Sequence, residues 1–125
     1  MNHFPDIEQA CLCCNVIHLA PGFLDALNEL REAFAQPMPV NSMCRCKERN
    51  WAVGGKPGSY HLIDHPWGCC AVDISTNGWS GAKKWQFIEL AMKRGFSIGF
   101  AKTFLHIDRR HVHDKDWPKP VFFTY

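Results

Sequence analysis

Two imidazoles and one carboxylate, His61, Asp73 and His106, stand out in this sequence because together they supply the donor set of a catalytic metal. A zinc ion held by three side chains keeps a fourth position open, where water binds and loses a proton near neutral pH. Asp73 lies inside the run "AVDIS", residues 71–75, where a plain strand would carry another apolar residue. His106 lies inside "KTFLHID", residues 102–108, and Asp108 follows it two positions later. His61 ends the Gly-rich stretch "VGGKPGSYH". Polar residues on the outer face of an alternating strand commonly meet only water, so the same pattern also fits a solvated sheet face.

The elements that must position these residues are legible from periodicity. Alternation puts Val72 and Ile74 on one face of the first strand and Asp73 on the other; in the second strand Leu105 and Ile107 oppose Phe104, His106 and Asp108. Side by side, the two strands would cover helices with their apolar faces and project Asp73, His106 and Asp108 together. Phe23, Leu27, Leu30 and Phe34 recur at helical spacing between Gly22 and Gln36, and Pro37 ends that helix. A second helix is expected after Ser80, a good capping residue, with a buried stripe of Trp85, Ile88 and Met92 and with Gly95 as a left-handed C-terminal cap. "PVNSMCRC" reads as a short strand entering a loop, "KERNWAVGGKPG" as a helical turn broken by Gly54, Gly55 and Pro57, and "DWPKPVFFTY" as loop with an edge strand at Val121 to Thr124. The expected fold is α+β, a small antiparallel sheet with helices packed on one face, in a single domain over residues 1–125.

A chain of 125 residues can bury roughly two-thirds of its unfolded surface without disulfides. The net charge of +2 is small and scattered, and the one dense basic patch, Arg109 to His111, is soon followed by acids, which argues against a nucleic-acid partner. No run approaches the roughly 18 apolar residues of a membrane span. The start "MNHFPDIEQ" lacks the basic head and apolar core of a signal peptide, so the chain is expected to be cytoplasmic as synthesised. Seven cysteines, an odd number with adjacent pairs at 13–14 and 69–70, read as reduced and mostly buried thiols. Nothing in the composition demands more than a monomer.

"GSYH", then "AVDI", and much later "TFLHID" resemble the zinc peptidases of the D-Ala-D-Ala carboxypeptidase and Hedgehog type, particularly the short bacterial and phage murein peptidases. Their pattern is Ser-x-His, six residues, Asp within Gly-x-Ala-x-Asp, and a His on a later strand. Upstream, "VNSMCRCKERNWAVGGKPGSYH" is similar to their Ser-x-x-Arg stretch followed by Asn and a Val-Gly-Gly turn. The resemblance covers about residues 21–108 and implies that His61, Asp73 and His106 ligate Zn2+. It further implies that Arg45 steadies negative charge on substrate and that Ser59 holds the substrate peptide. The implied reaction is hydrolysis of peptidoglycan stem peptides or cross-links containing D-amino acids, which fits a phage lysis protein or one carried to the wall by other components.

The chain departs from that pattern in two places. Eleven residues separate His61 from Asp73, so "IDHPW", Ile63 to Trp67, looks inserted, and Gly68 sits one place too early. An insertion at a loop costs little entropy, but it makes His65 a competing ligand; the Ser-x-His context and the preceding glycine turn favour His61. The positions where some relatives carry a proton acceptor are Thr103 and Phe104 here. Asp108 is left, either as acceptor of the proton from water or as the group that orients a ligand imidazole.

Two other chemistries compete. His106-x-Asp108 plus another histidine is the ligand set of non-haem iron oxygenases, but His111 and His113 follow too closely and the strands are too few for that arrangement. A non-catalytic alternative encloses a structural zinc with Cys11, Cys13, Cys14, Cys44 and Cys46, against which stand the Cys-x-Cys spacing and the lack of a glycine after either cluster. "HVHD" at 111–114 is most simply a polar loop.

Overall fold

The computed structural model describes residues 1–125. Its centre is a five-stranded sheet in the order β1-β2-β4-β3-β5, with β1 at Val40–Ser42, β2 at Ala71–Ser75, β3 at Ser97–Phe100, β4 at Phe104–Asp108 and β5 at Phe122–Thr124. The first four strands pair antiparallel; β5 joins β3 in parallel, so the sheet is mixed where a purely antiparallel one was expected. The parallel pairing is possible because the chain between β3 and β5 passes through β4, the short helix α5 at Arg110–His113 and the loop after it before returning.

Helices α2 (Phe23–Phe34) and α4 (Gly81–Lys93) pack against each other, and the core joins Phe23, Leu27, Leu30 and Phe34 of α2 to Val72, Ile74, Ile98, Leu105 and Ile107 of the sheet. Ser80 caps α4 by accepting the Lys83 N–H at 3.1 Å. Gly95, at φ 82°, closes the other end: Phe96 N–H bonds back to Ala91 O and Gly95 N–H to Met92 O, the paired bonds of a left-handed helix stop.

The buried face of α4 differs from the expected one. Phe87 and Ala91 are fully buried, whereas Trp85 is 72% and Met92 47% exposed. The ring of Phe87 meets Phe34 and Trp79 edge-on at 5.2 and 5.5 Å, and this aromatic cluster sets the rotation of the helix. Two short helices complete the chain, α1 at Asp6–Gln9 and α3 at Lys47–Ala52. No helix is long and apolar enough to cross a membrane.

Candidate metal centre and active site

The site lies on the sheet face opposite α2 and α4. Asp73 of β2 pairs with His106 of β4, His106 with Gly99 of β3, and Gly99 with Phe123 of β5, while Ser42 of β1 sits on the far side of Asp73. A side chain on Gly99 would collide with the Phe123 ring, so the glycine lets that ring reach across to His106 at 5.4 Å. On this face Asp73 and His106 are buried, and Val72 and Ile74 are buried on the other.

His61 arrives from outside the sheet, held by a backbone ladder between residues 43–46 and 61–63. Arg45 N–H donates to His61 O at 2.9 Å, and Ile63 N–H to Arg45 O at 3.0 Å. The His61 N–H donates to Ser59 Oγ at 3.2 Å. Ser59 thus shapes the turn that delivers His61.

The hydrogen bonds determine which ring nitrogen carries a lone pair. His61 Nδ1 is 2.7 Å from Met43 O, a group that can only accept, so Nδ1 bears the proton. Nε2 then turns its lone pair toward Asp73 Oδ1, 3.1 Å away. His106 donates through Nε2 to Asp108 Oδ2 at 2.7 Å, and its Nδ1 faces the same Asp73 Oδ1 at 3.1 Å. Two nitrogens and one carboxylate oxygen therefore converge on one point, all within 4.8 Å of one another. Acceptors converge stably only around a cation, which is either a proton on an imidazole or a metal ion. Tetrahedral zinc, with bonds of about 2.0–2.1 Å, separates its ligands by roughly 3.3 Å, so the donor set fits that ion.

Charge follows the same logic. Burial, only partly offset by Asp73, pushes the His61 pKa down and keeps this imidazole neutral. Burial also opposes charge on His106, but the carboxylates of Asp108 and Asp73 outweigh it and raise its pKa. Against burial, the protonated His106 holds Asp73 well below the usual carboxylate range, and His106 with Arg110 lowers Asp108.

Two arginines fix the two acids. Arg45 donates from Nη2 to Asp73 Oδ2 at 2.8 Å, from Nε to Ser42 Oγ at 2.9 Å and from Nη1 to Asn50 Oδ1 at 3.3 Å, which leaves two of its five N–H bonds for other partners. Asn50 is buried and also holds Lys56 O at 2.8 Å; a side chain on Gly55 would strike it, which explains the second glycine of the turn. Arg110 grips Asp108 from Nε and Nη2 at 3.1 and 2.8 Å and with its own N–H at 2.9 Å. With His106 added, Asp108 is fully enclosed and both oxygens are engaged. Of its two candidate roles, this geometry fits the one that orients His106.

The profile of the Peptidase M15 family matches residues 4–108, more than four fifths of the chain. The chain belongs to that family. Peptidase M15 membership makes it a peptidase, and the matched span contains every one of the converging donors. No curated protein and no solved structure matches the chain.

For this M15 peptidase the structure separates His61 from His65. His65 donates from Nε2 to Ser59 O at 2.9 Å and stacks between Tyr60 and Trp67, with ring centroids at 5.5 and 4.7 Å, so the inserted loop carries it outside the donor set. Gly68 closes that loop at φ 91°, where a side chain would meet His18 O at 2.8 Å. The role of Arg110 was not legible in the sequence. Two residues apart on a strand, Asp108 and Arg110 would lie some 7 Å apart, but the chain leaves β4 and coils into α5, which folds the guanidinium back. Phe123 is likewise not legible in the sequence as a site residue, since only the β3–β5 pairing brings it there.

Proposed function

We propose that this M15 peptidase is a zinc metallopeptidase that hydrolyses peptide bonds of peptidoglycan stem peptides or cross-links containing D-amino acids. One observation carries the metal: His61 Nε2, His106 Nδ1 and Asp73 Oδ1 aim at a common point with no proton available for His61 Nε2. When bound, zinc would polarise the scissile carbonyl and lower the pKa of its water. The chain's residues do the rest. Met43 O and Asp108 fix the two imidazole tautomers, and Arg45 holds Asp73 by one oxygen so that the other stays in the donor set. The two remaining N–H bonds of Arg45 offset negative charge that develops on the substrate carbonyl. Asp108 acts as the positioning residue for His106, and Ser59, besides forming the turn, offers its hydroxyl proton to the substrate backbone. The cell-wall substrate rests on the resemblance of the Ser-x-His and "TFLHID" motifs to murein peptidases.

Purified chain loaded with zinc should release soluble peptides from bacterial sacculi, lose that activity on chelation and regain it with zinc. A His106→Ala chain that stays folded should neither bind the ion at this site nor release peptides. Full peptide release by that variant, or by the chelated wild type, would overturn the reading.

A further inference from the structure

A second group of ligating side chains lies outside the active site. Cys11 and Cys14 come from the N-terminal segment and Cys46 from the residue ahead of α3, yet their three sulfurs fall within 4.8 Å of one another. Cys44, which the sequence grouped with them, points instead toward Cys69 and His18.

The backbone around these sulfurs is shaped for ligation. Cys11 Sγ accepts the N–H of Cys13 at 3.4 Å and of Cys46 at 3.3 Å, and Cys46 Sγ accepts the N–H of Arg49 at 3.4 Å. Amides aimed at sulfur fix its direction for ligation, and against burial those on Cys11 lower its pKa toward the thiolate, the form that binds metal. Cys11-x-x-Cys14 is followed by Asn15 at φ 66°, and Asn15 N–H closes the turn on Cys11 O at 2.8 Å. A residue with positive φ after a Cys-x-x-Cys turn brings both sulfurs to one side. Glycine is the usual choice, and asparagine is among the few other residues that adopt this conformation readily. The missing glycine therefore does not exclude a metal. Cys13 gives its N–H to Cys11 Sγ, and its own sulfur falls outside this group of three.

We propose that Cys11, Cys14 and Cys46 bind a second zinc ion whose role is structural. Thiolates suit a borderline-soft ion, and three of them leave one tetrahedral position for a further donor. The ion staples residues 11–14 to the segment that builds the active site, because Cys46 adjoins Arg45 and the same segment supplies Met43 O to His61. Cys46 N–H to Cys11 Sγ at 3.3 Å joins the two directly, and Cys44 N–H to Gln9 O at 3.1 Å ties the residues just before them. The site needs no help from the histidine centre and would fill in its absence.

The test is titration of the full-length, reduced, metal-free chain with Co(II), read by absorbance and by metal content. The wild type should bind two ions per chain and show the near-ultraviolet charge-transfer band of sulfur bound to cobalt. The folded His106→Ala chain should bind one ion and keep that band. Cys14→Ser, at an exposed position that spares the core, should lose the band and retain one ion. Absence of the sulfur band in the wild type, a measurement that needs no variant, would overturn the proposal, as would an undiminished band in Cys14→Ser.

Discussion

Replacing Asp108 by Asn tests how the site is held together. The carboxylate accepts from His106 Nε2 at 2.7 Å and from Arg110 through three N–H groups, with no exposure to solvent. Asparagine keeps the shape but has one acceptor oxygen. If that oxygen stays with the guanidinium, the amide N–H2 faces His106 Nε2, which must then accept; the ring proton moves to Nδ1 and the lone pair needed for the metal is lost. If the oxygen turns to His106 instead, the amide donors confront those of Arg110. Either way charge-assisted hydrogen bonds disappear, at about 1.5–3 kcal/mol each before relaxation. Asn should therefore lower stability by roughly 2–3 kcal/mol, while Ala, which strands a buried guanidinium, should cost about 3–5 kcal/mol and endanger folding of a domain worth some 5–15 kcal/mol. Loss of the group that orients a ligand imidazole should weaken zinc binding about 10–100-fold. Competition with a chromophoric chelator measures the affinity, and 15N shifts of the His106 ring report the tautomer. Asp108→Asn that binds zinc as tightly as wild type yet releases no peptide would refute the positioning role and make Asp108 the proton carrier.

Other perturbations address other parts of the structure. Asp108 has a lowered folded pKa, so the unfolded chain takes up the proton first as pH falls: its contribution is complete above about pH 4–5 and is lost on further acidification. Urea midpoints should fall between about pH 6 and pH 3, and less in a folded Asp108→Asn chain; equal slopes in both would contradict the assignment. Because a metal must displace the proton that His106 holds at raised pKa, zinc affinity at the His61, Asp73 and His106 centre should drop as pH is lowered through the histidine range, and an affinity flat in pH would argue against those ligands. Phe87→Ala should cost about 3–5 kcal/mol and Trp85→Ala close to nothing; the reverse order in thermal unfolding would place the wrong face of α4 in the core. Gly99→Ala should displace Phe123 and loosen β5, seen as faster amide exchange at Phe122–Thr124.

The sequence by itself determined whatever depends on short-range periodicity and local chemistry. The spacing of Phe23, Leu27, Leu30 and Phe34 dictates α2 and its buried face. Alternation in "AVDIS" and "KTFLHID" puts Asp73 and His106 on the face away from the core, and the structure pairs them as neighbours across β2 and β4. Ser80 and Gly95 mark the ends of α4 through local hydrogen bonds that need no distant partner. The motif spacing was enough to suggest the family.

Only the tertiary structure decided what depends on where separate segments meet. His61 and His65 are four residues apart and chemically alike; stacking with Tyr60 and Trp67 and closure at Gly68 remove His65, and none of this follows from its neighbours in sequence. Asp108 can accept a proton or orient a ring with equal ease until α5 returns Arg110 to it. Cys11 and Cys46 are brought to contact by the path of the N-terminal segment, while Cys44 faces Cys69 and His18. Periodicity fixes the face on which a residue lies, because that is set by backbone geometry within a few residues. Which faces touch is set by loop closure and packing across the whole chain, and that information is spread over contacts no single stretch contains.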